Sequence, residues 1–120
     1  MASNELLICL RHGTTRQRAE SIFQNGPDPN FREPGGLDKA EGFSTARLEG
    51  PFPYGSPEVV AAGKARLFPK EGGPAILEMD VPESIVRKAD FAGEVRFHQG
   101  YGLEELLETW PTIAKRIITP

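Results

Sequence analysis

The sequence predicts a single α+β domain, and three observations carry that prediction. Residues 75–81 alternate apolar and polar side chains, with Ala75, Leu77, Met79 and Val81 on one face and Ile76, Glu78 and Asp80 on the other, the pattern of a half-buried strand. Ser56-Pro57-Glu58 has the form of a helix start: a capping serine, a proline at the first position and an acid favoured by the helix dipole. Neither signal recurs as a βα repeat, and no linker or internal repeat interrupts the 120 residues, so residues 1–120 read as one domain. A chain of that length buries most of its apolar surface without disulfides or a structural metal.

The elements follow in order. Residues 6–10 form a short apolar run, read as a buried strand that stops at Arg11-His12-Gly13. Thr14 and Gln17 have the spacing of a capping box, and Ala19, Ile22 and Phe23 recur at helical spacing up to a stop at Asn25-Gly26-Pro27. Residues 27–41 carry Pro27, Pro29, Pro34, Gly35 and Gly36 with little apolar material, which predicts a long, mobile loop. Residues 42–46 read as a short strand and 50–55 as a turn-rich connection. In the helix that starts at Ser56, Val59, Val60, Gly63 and Leu67 fit one face. Residues 94–97 form a second alternating strand, with Val95 and Phe97 toward the core and Glu94, Arg96 and His98 opposite. Leu103, Leu106, Leu107 and Trp110 predict a closing helix cut by Pro111.

Composition narrows the function classes. Charged residues are 26% and the net charge is −3, with the basic residues scattered; non-specific nucleic-acid binding needs them clustered. A local basic pocket for a phosphate remains compatible with this balance. The single cysteine, Cys9, lies in an apolar run and reads as a small buried hydrophobe, not a disulfide or zinc ligand. No run approaches the ~18 apolar residues of a membrane span, and residues 1–5 lack the basic start of a signal peptide. A cytoplasmic protein without a membrane partner is the expectation.

The residues able to do chemistry gather at strand ends. His12 follows a strand and precedes a glycine and a capped helix. Gly13 allows a ligand close to the backbone, and the N–H groups of the next helix favour an anion. Phe43, Ser44 and Thr45 add an aromatic and two hydroxyls. Glu94 shares a strand face with Arg96, which would balance it, and with His98. Phe52 and Tyr54 sit in a Pro/Gly-rich loop where aromatics either pin the loop or stack on a ligand. Glu104, Glu105 and Glu108 read as the solvated face of the last helix.

In this order the pieces resemble the ADP-ribosyltransferase fold. The resemblance spans nearly the whole chain and rests on the series His12-Gly13-Thr14, the helix Ala19 to Gly26, Gly42-Phe43-Ser44-Thr45, the alanine-bearing helix with Ala61 and Ala62, the strand 75–81 and Gly93-Glu94-Val95. It implies a split β-sheet core with two or three flanking helices and NAD, as substrate, in a cleft between two small sheets. Arg11, His12, Gly13, Thr14, Phe43, Ser44, Thr45 and Tyr54 would line the NAD site, His12 bonding the adenosine ribose and the Gly13 backbone holding the nicotinamide amide. Phe43, Phe52 or Tyr54 would stack on the nicotinamide. Glu94, with His12, would be catalytic, bonding the nicotinamide-ribose 2′-hydroxyl and stabilising an oxocarbenium-like transition state. Glu78 and Glu104 are the other candidate carboxylates. The acceptor of the ADP-ribose is unassigned: a protein, a nucleic acid or a small molecule. Phe43 stands where the family has tyrosine, and Ala92 stands two before Glu94 where arginine-modifying members often carry Gln or Glu, which points away from an arginine acceptor.

Three other readings compete. Arg11-His12-Gly13 also resembles the opening of the histidine phosphatases, in which the histidine takes up a phosphoryl group and arginines hold its oxygens; Thr14 replaces that family's usual acid, and His98 is the only second histidine. The RNA 2′-phosphotransferase branch of the transferase fold would use Arg11, His12 and Arg47 or Arg96. A degenerate, non-catalytic binding module of the same fold is the fourth reading.

Overall fold

The computed structural model describes residues 5–28, 42–53 and 55–120. The expected mobile loop therefore lies outside the described residues apart from Pro27 and Asp28, and so does Tyr54.

The domain is α+β, with a six-stranded antiparallel sheet and four α-helices among the described residues, where the expectation is two or three helices. The strands are β1 (Leu7–Thr15), β2 (Phe43–Arg47), β3 (Pro74–Pro82), β4 (Asp90–Phe91), β5 (Glu94–Phe97) and β6 (Lys115–Ile118); the helices are α1 (Arg16–Asn25), α2 (Pro57–Leu67), α3 (Glu83–Ala89) and α4 (Leu103–Thr109). The sheet order is β4-β5-β2-β1-β3-β6. β1 pairs with β3 over its whole length, from Leu7↔Pro82 to Thr15↔Pro74. On its other edge it pairs with β2 only at Leu10↔Arg47 and Arg11↔Ala46. The six strands form one sheet, and the short β1–β2 seam marks its middle, with the half β6-β3-β1 on one side and β2-β5-β4 on the other.

In the strand 75–81, Ala75, Leu77, Met79 and Val81 are fully buried and Glu78 and Asp80 half-buried, as the alternation demands, but Ile76 on the second face is fully buried as well. Val95 and Phe97 from β5 join that core, as do Leu103, Leu106 and Trp110 from the closing helix and the 3₁₀ turn that follows it. The Trp110 indole N–H donates to the Phe23 carbonyl at 3.1 Å, which ties the turn to α1.

Five expectations are corrected. β1 runs to Thr15, not to Leu10, because β3 supplies ladder partners along all of it; His12, Gly13 and Thr14 lie inside the strand. The α1 cap is Thr15, whose hydroxyl accepts from the Arg18 N–H at 3.4 Å, while Thr14 is buried in the sheet. Two of the N–H groups at the α1 N-terminus are not open to a bound anion, because those of Arg16 and Gln17 donate to the carbonyls of Gly73 and Glu71. In α2 the buried residues are Pro57 and Ala61, and Val59 and Leu67 are exposed; only small side chains fit where this helix meets β1. Cys9 is half-buried, near Arg116 of the edge strand β6. α3, β4 and β6 were not anticipated at all.

Candidate functional site: a groove at the seam of the sheet

The groove opens where β1 and β2 part. Beyond the pair Arg11↔Ala46 the ladder stops, and the His12 ring bridges the gap: Nδ1 lies 2.6 Å from the Ser44 carbonyl oxygen. A carbonyl only accepts, so Nδ1 carries the proton and Nε2 keeps its lone pair. The ring rests on Phe43, centroid to centroid 4.5 Å, and the residue is 9% exposed. Burial above all, and the nearby Lys64 charge after it, push the imidazole pKa down to about 3 against the opposing effect of the bond to Ser44. His12 is therefore a neutral hydrogen-bond acceptor at physiological pH.

Gly13 faces α2. A Cβ built there would lie 2.1 Å from the Pro57 carbonyl oxygen and 3.0 Å from the Ala61 nitrogen. Its missing side chain lets α2 dock on β1, and α2 then supplies one wall of the groove through Pro57, Val60 and Lys64. The rest of the lining is the connection Pro51, Phe52, Pro53 and Gly55, the strand residues Arg11, His12, Gly13, Ser44, Thr45 and Ala46, and Glu94. The groove is open to solvent, and the space within it, its mouth included, is about 450 Å³.

Glu94 opens β5 and reaches the groove from the other half of the sheet. Both Nε and Nη2 of Arg96 donate to its Oε1, at 3.0 and 2.7 Å. Arg96 itself is 8% exposed and pairs across the ladder with Ser44, so a buried cation steadies the carboxylate. Glu94 and Arg96 thus share a strand face.

The fold brings together Arg11, His12, Gly13, Ser44, Thr45, Phe52 and Glu94, and separates the other candidates from them. Phe43 is buried against Phe97 and Trp110, so it braces His12 from the core and does not face a ligand. Thr14 is 1% exposed and is not among the residues that line the groove. The Arg11 guanidinium is held by Glu78 at 3.1 Å and Glu58 at 2.9 Å, so it is neutralised where it lines the groove. Glu78 is taken up by Arg11 and Arg116. Glu104 accepts from the Gly100 N–H at the far end of the core. His98 packs in a triangle of rings with Phe91 and Tyr101, 5.4 and 4.6 Å away. From the sequence, Val60 has only a place on a helix face and Lys64 is not singled out; their signal as groove residues is the spacing of three and seven residues after Pro57, which places all three along one side of α2.

No family profile matches the chain, and no curated protein or solved structure matches it. Among the described residues, no helix is long and apolar enough to cross a membrane, and no group of three His, Cys, Asp or Glu side chains is placed to hold a metal ion.

Proposed function

We propose that this domain binds NAD in the groove and cleaves its nicotinamide–ribose bond, as ADP-ribosyltransferases do, passing the ADP-ribose to an acceptor. The observation that carries the reading is that His12 and Glu94, from different halves of the sheet, line one groove together with Gly13, Ser44 and Thr45. The lining has the mixed character a dinucleotide needs. Pro51, Phe52, Pro53 and Val60 offer apolar surface to a flat base, and Nε2 of His12 accepts a ribose hydroxyl. Lys64 supplies positive charge to a diphosphate. Glu94 presents a carboxylate whose Oε1 is fixed by Arg96, for a ribose that becomes positively charged.

The chemistry is a substitution at the ribose C1′. The C1′–N bond breaks and its electron pair leaves with neutral nicotinamide. A lone pair of the acceptor then forms the new bond to C1′, and the acceptor's proton passes to water. The Glu94 carboxylate lowers the energy of the cationic transition state, an effect that is largest in a site shielded from solvent. Phosphoryl-transfer readings fare worse because the arginines they need are engaged elsewhere: Arg11 by two carboxylates, Arg47 by Asp90 and Arg96 by Glu94.

One observation favours a second reading, a binding module without turnover: the pairing with Arg96 offsets the charge of Glu94. Titration calorimetry with NAD and chromatographic assay of released nicotinamide, with water as the default acceptor, separate the two. Binding with release supports the transferase, binding without release supports the module, and no binding overturns both.

A further inference from the structure

We infer that Arg47 is a positioning residue for Glu94, acting through the β4–β5 hairpin; the inference rests on the assignment of Glu94 to the NAD site. β4 has two residues and lies at the edge of the sheet, so few ladder bonds hold it. Its turn to β5 is Ala92-Gly93, with φ of 55° and 92°. Two central residues at positive φ are the sign pattern of a type I′ hairpin, which favours Asn-Gly or Gly-Gly. Alanine at the first position is poorly suited to it, so the turn is an improbable conformation that its surroundings must enforce.

Those surroundings converge on the residue before Glu94. Arg47 donates from Nη2 to Asp90 Oδ2 at 2.6 Å and from Nη1 to the Gly93 carbonyl at 3.2 Å. The other Asp90 oxygen accepts from the Gly93 N–H at 2.9 Å. Pro51, which lines the groove, packs so closely that a Cβ on Gly93 would lie 2.8 Å from its ring. One guanidinium therefore spans both ends of the turn, and Gly93, which fixes where Glu94 leaves the backbone, is held at both its N–H and its C=O. Arg96 aims the carboxylate and Arg47 fixes the main chain that carries it. A lysine in place of Arg47 keeps the charge but loses the two-pronged grip.

The test compares wild type, Arg47→Lys and Arg47→Gln by amide hydrogen exchange, thermal midpoint and, in the same preparations, NAD-dependent nicotinamide release. The expected result for Arg47→Gln is at least tenfold faster exchange at Gly93 with unchanged exchange at Leu77 and Met79. A kcat at least tenfold lower with KM within twofold should accompany it, and Arg47→Lys should fall between. Unchanged exchange at Gly93, or exchange that quickens equally across the sheet, overturns the inference by making Arg47 idle or merely structural. Full kcat in Arg47→Gln overturns it too. A wild type that neither binds NAD nor releases nicotinamide removes the NAD reading instead, and exchange at Gly93 alone then decides whether Arg47 fixes the segment bearing Glu94.

Discussion

The His12 imidazole donates to the Ser44 carbonyl at 2.6 Å across the point where the two halves of the sheet separate. A ring replaces a ladder hydrogen bond, and it does so in the neutral form. The local pairing, the tautomer and the groove follow from that one contact.

The neutral state makes His12 an acid-sensitive element. Folded His12 takes up a proton only near pH 3 instead of 6.5. Between those values the unfolded chain binds more protons, so the stability held in neutral His12 is complete above about pH 6.5 and drains as pH falls toward 3. Its slope is at most about 1.4 kcal/mol per pH unit. Urea unfolding of wild type and His12→Gln across that window should give curves that converge as pH falls. Parallel curves contradict a buried neutral His12.

Gly13→Ala should destabilise the domain by about 3 kcal/mol, the upper end of overpacking costs, because the new methyl meets the Pro57 carbonyl oxygen at 2.1 Å and backbone must move. The expected sign is a lower urea midpoint with an unchanged slope. An unchanged midpoint would mean that α2 is not seated on β1 as described.

Phe52→Ala should separate binding from stability. The ring is 38% exposed on the groove wall, so the thermal midpoint should hold. Loss of a stacking contact worth about 1 kcal/mol should weaken NAD several-fold by calorimetry. Equal affinity removes Phe52 from the site.

Much of this was legible in the sequence where a local rule governs. The alternation of 75–81 and 94–97 marks β3 and β5, and Ser56-Pro57 marks α2, because strand pattern and cap chemistry are encoded within a few residues. The extent of β1 was not, since Gly13-Thr14-Thr15 is extended only because β3 lies alongside. The buried side of α2 was misread for the same reason: Ala61, not Val59, faces inward because Gly13 admits only a small partner. β4 and β6 are short edge strands with too few residues to show a period. In the groove, His12 and Glu94 stood out by context, whereas Lys64 and the grip of Arg47 depend on contacts between distant segments. Phe43 shows the converse: an aromatic beside two hydroxyls looked like a ligand platform, yet its cross-strand pairing with Phe97 puts it in the core.

The most direct measurement of the central claim is nicotinamide release from NAD by wild type and Glu94→Gln, with NAD affinity taken on the same samples. Glutamine keeps the size and some hydrogen bonding of the side chain but cannot offset a growing positive charge. The proposed mechanism requires release by wild type, a kcat lower by about 10²–10³ in the variant and nearly unchanged affinity, the signature of an interaction made only in the transition state. A Glu94→Gln protein that releases nicotinamide at the wild-type rate contradicts it.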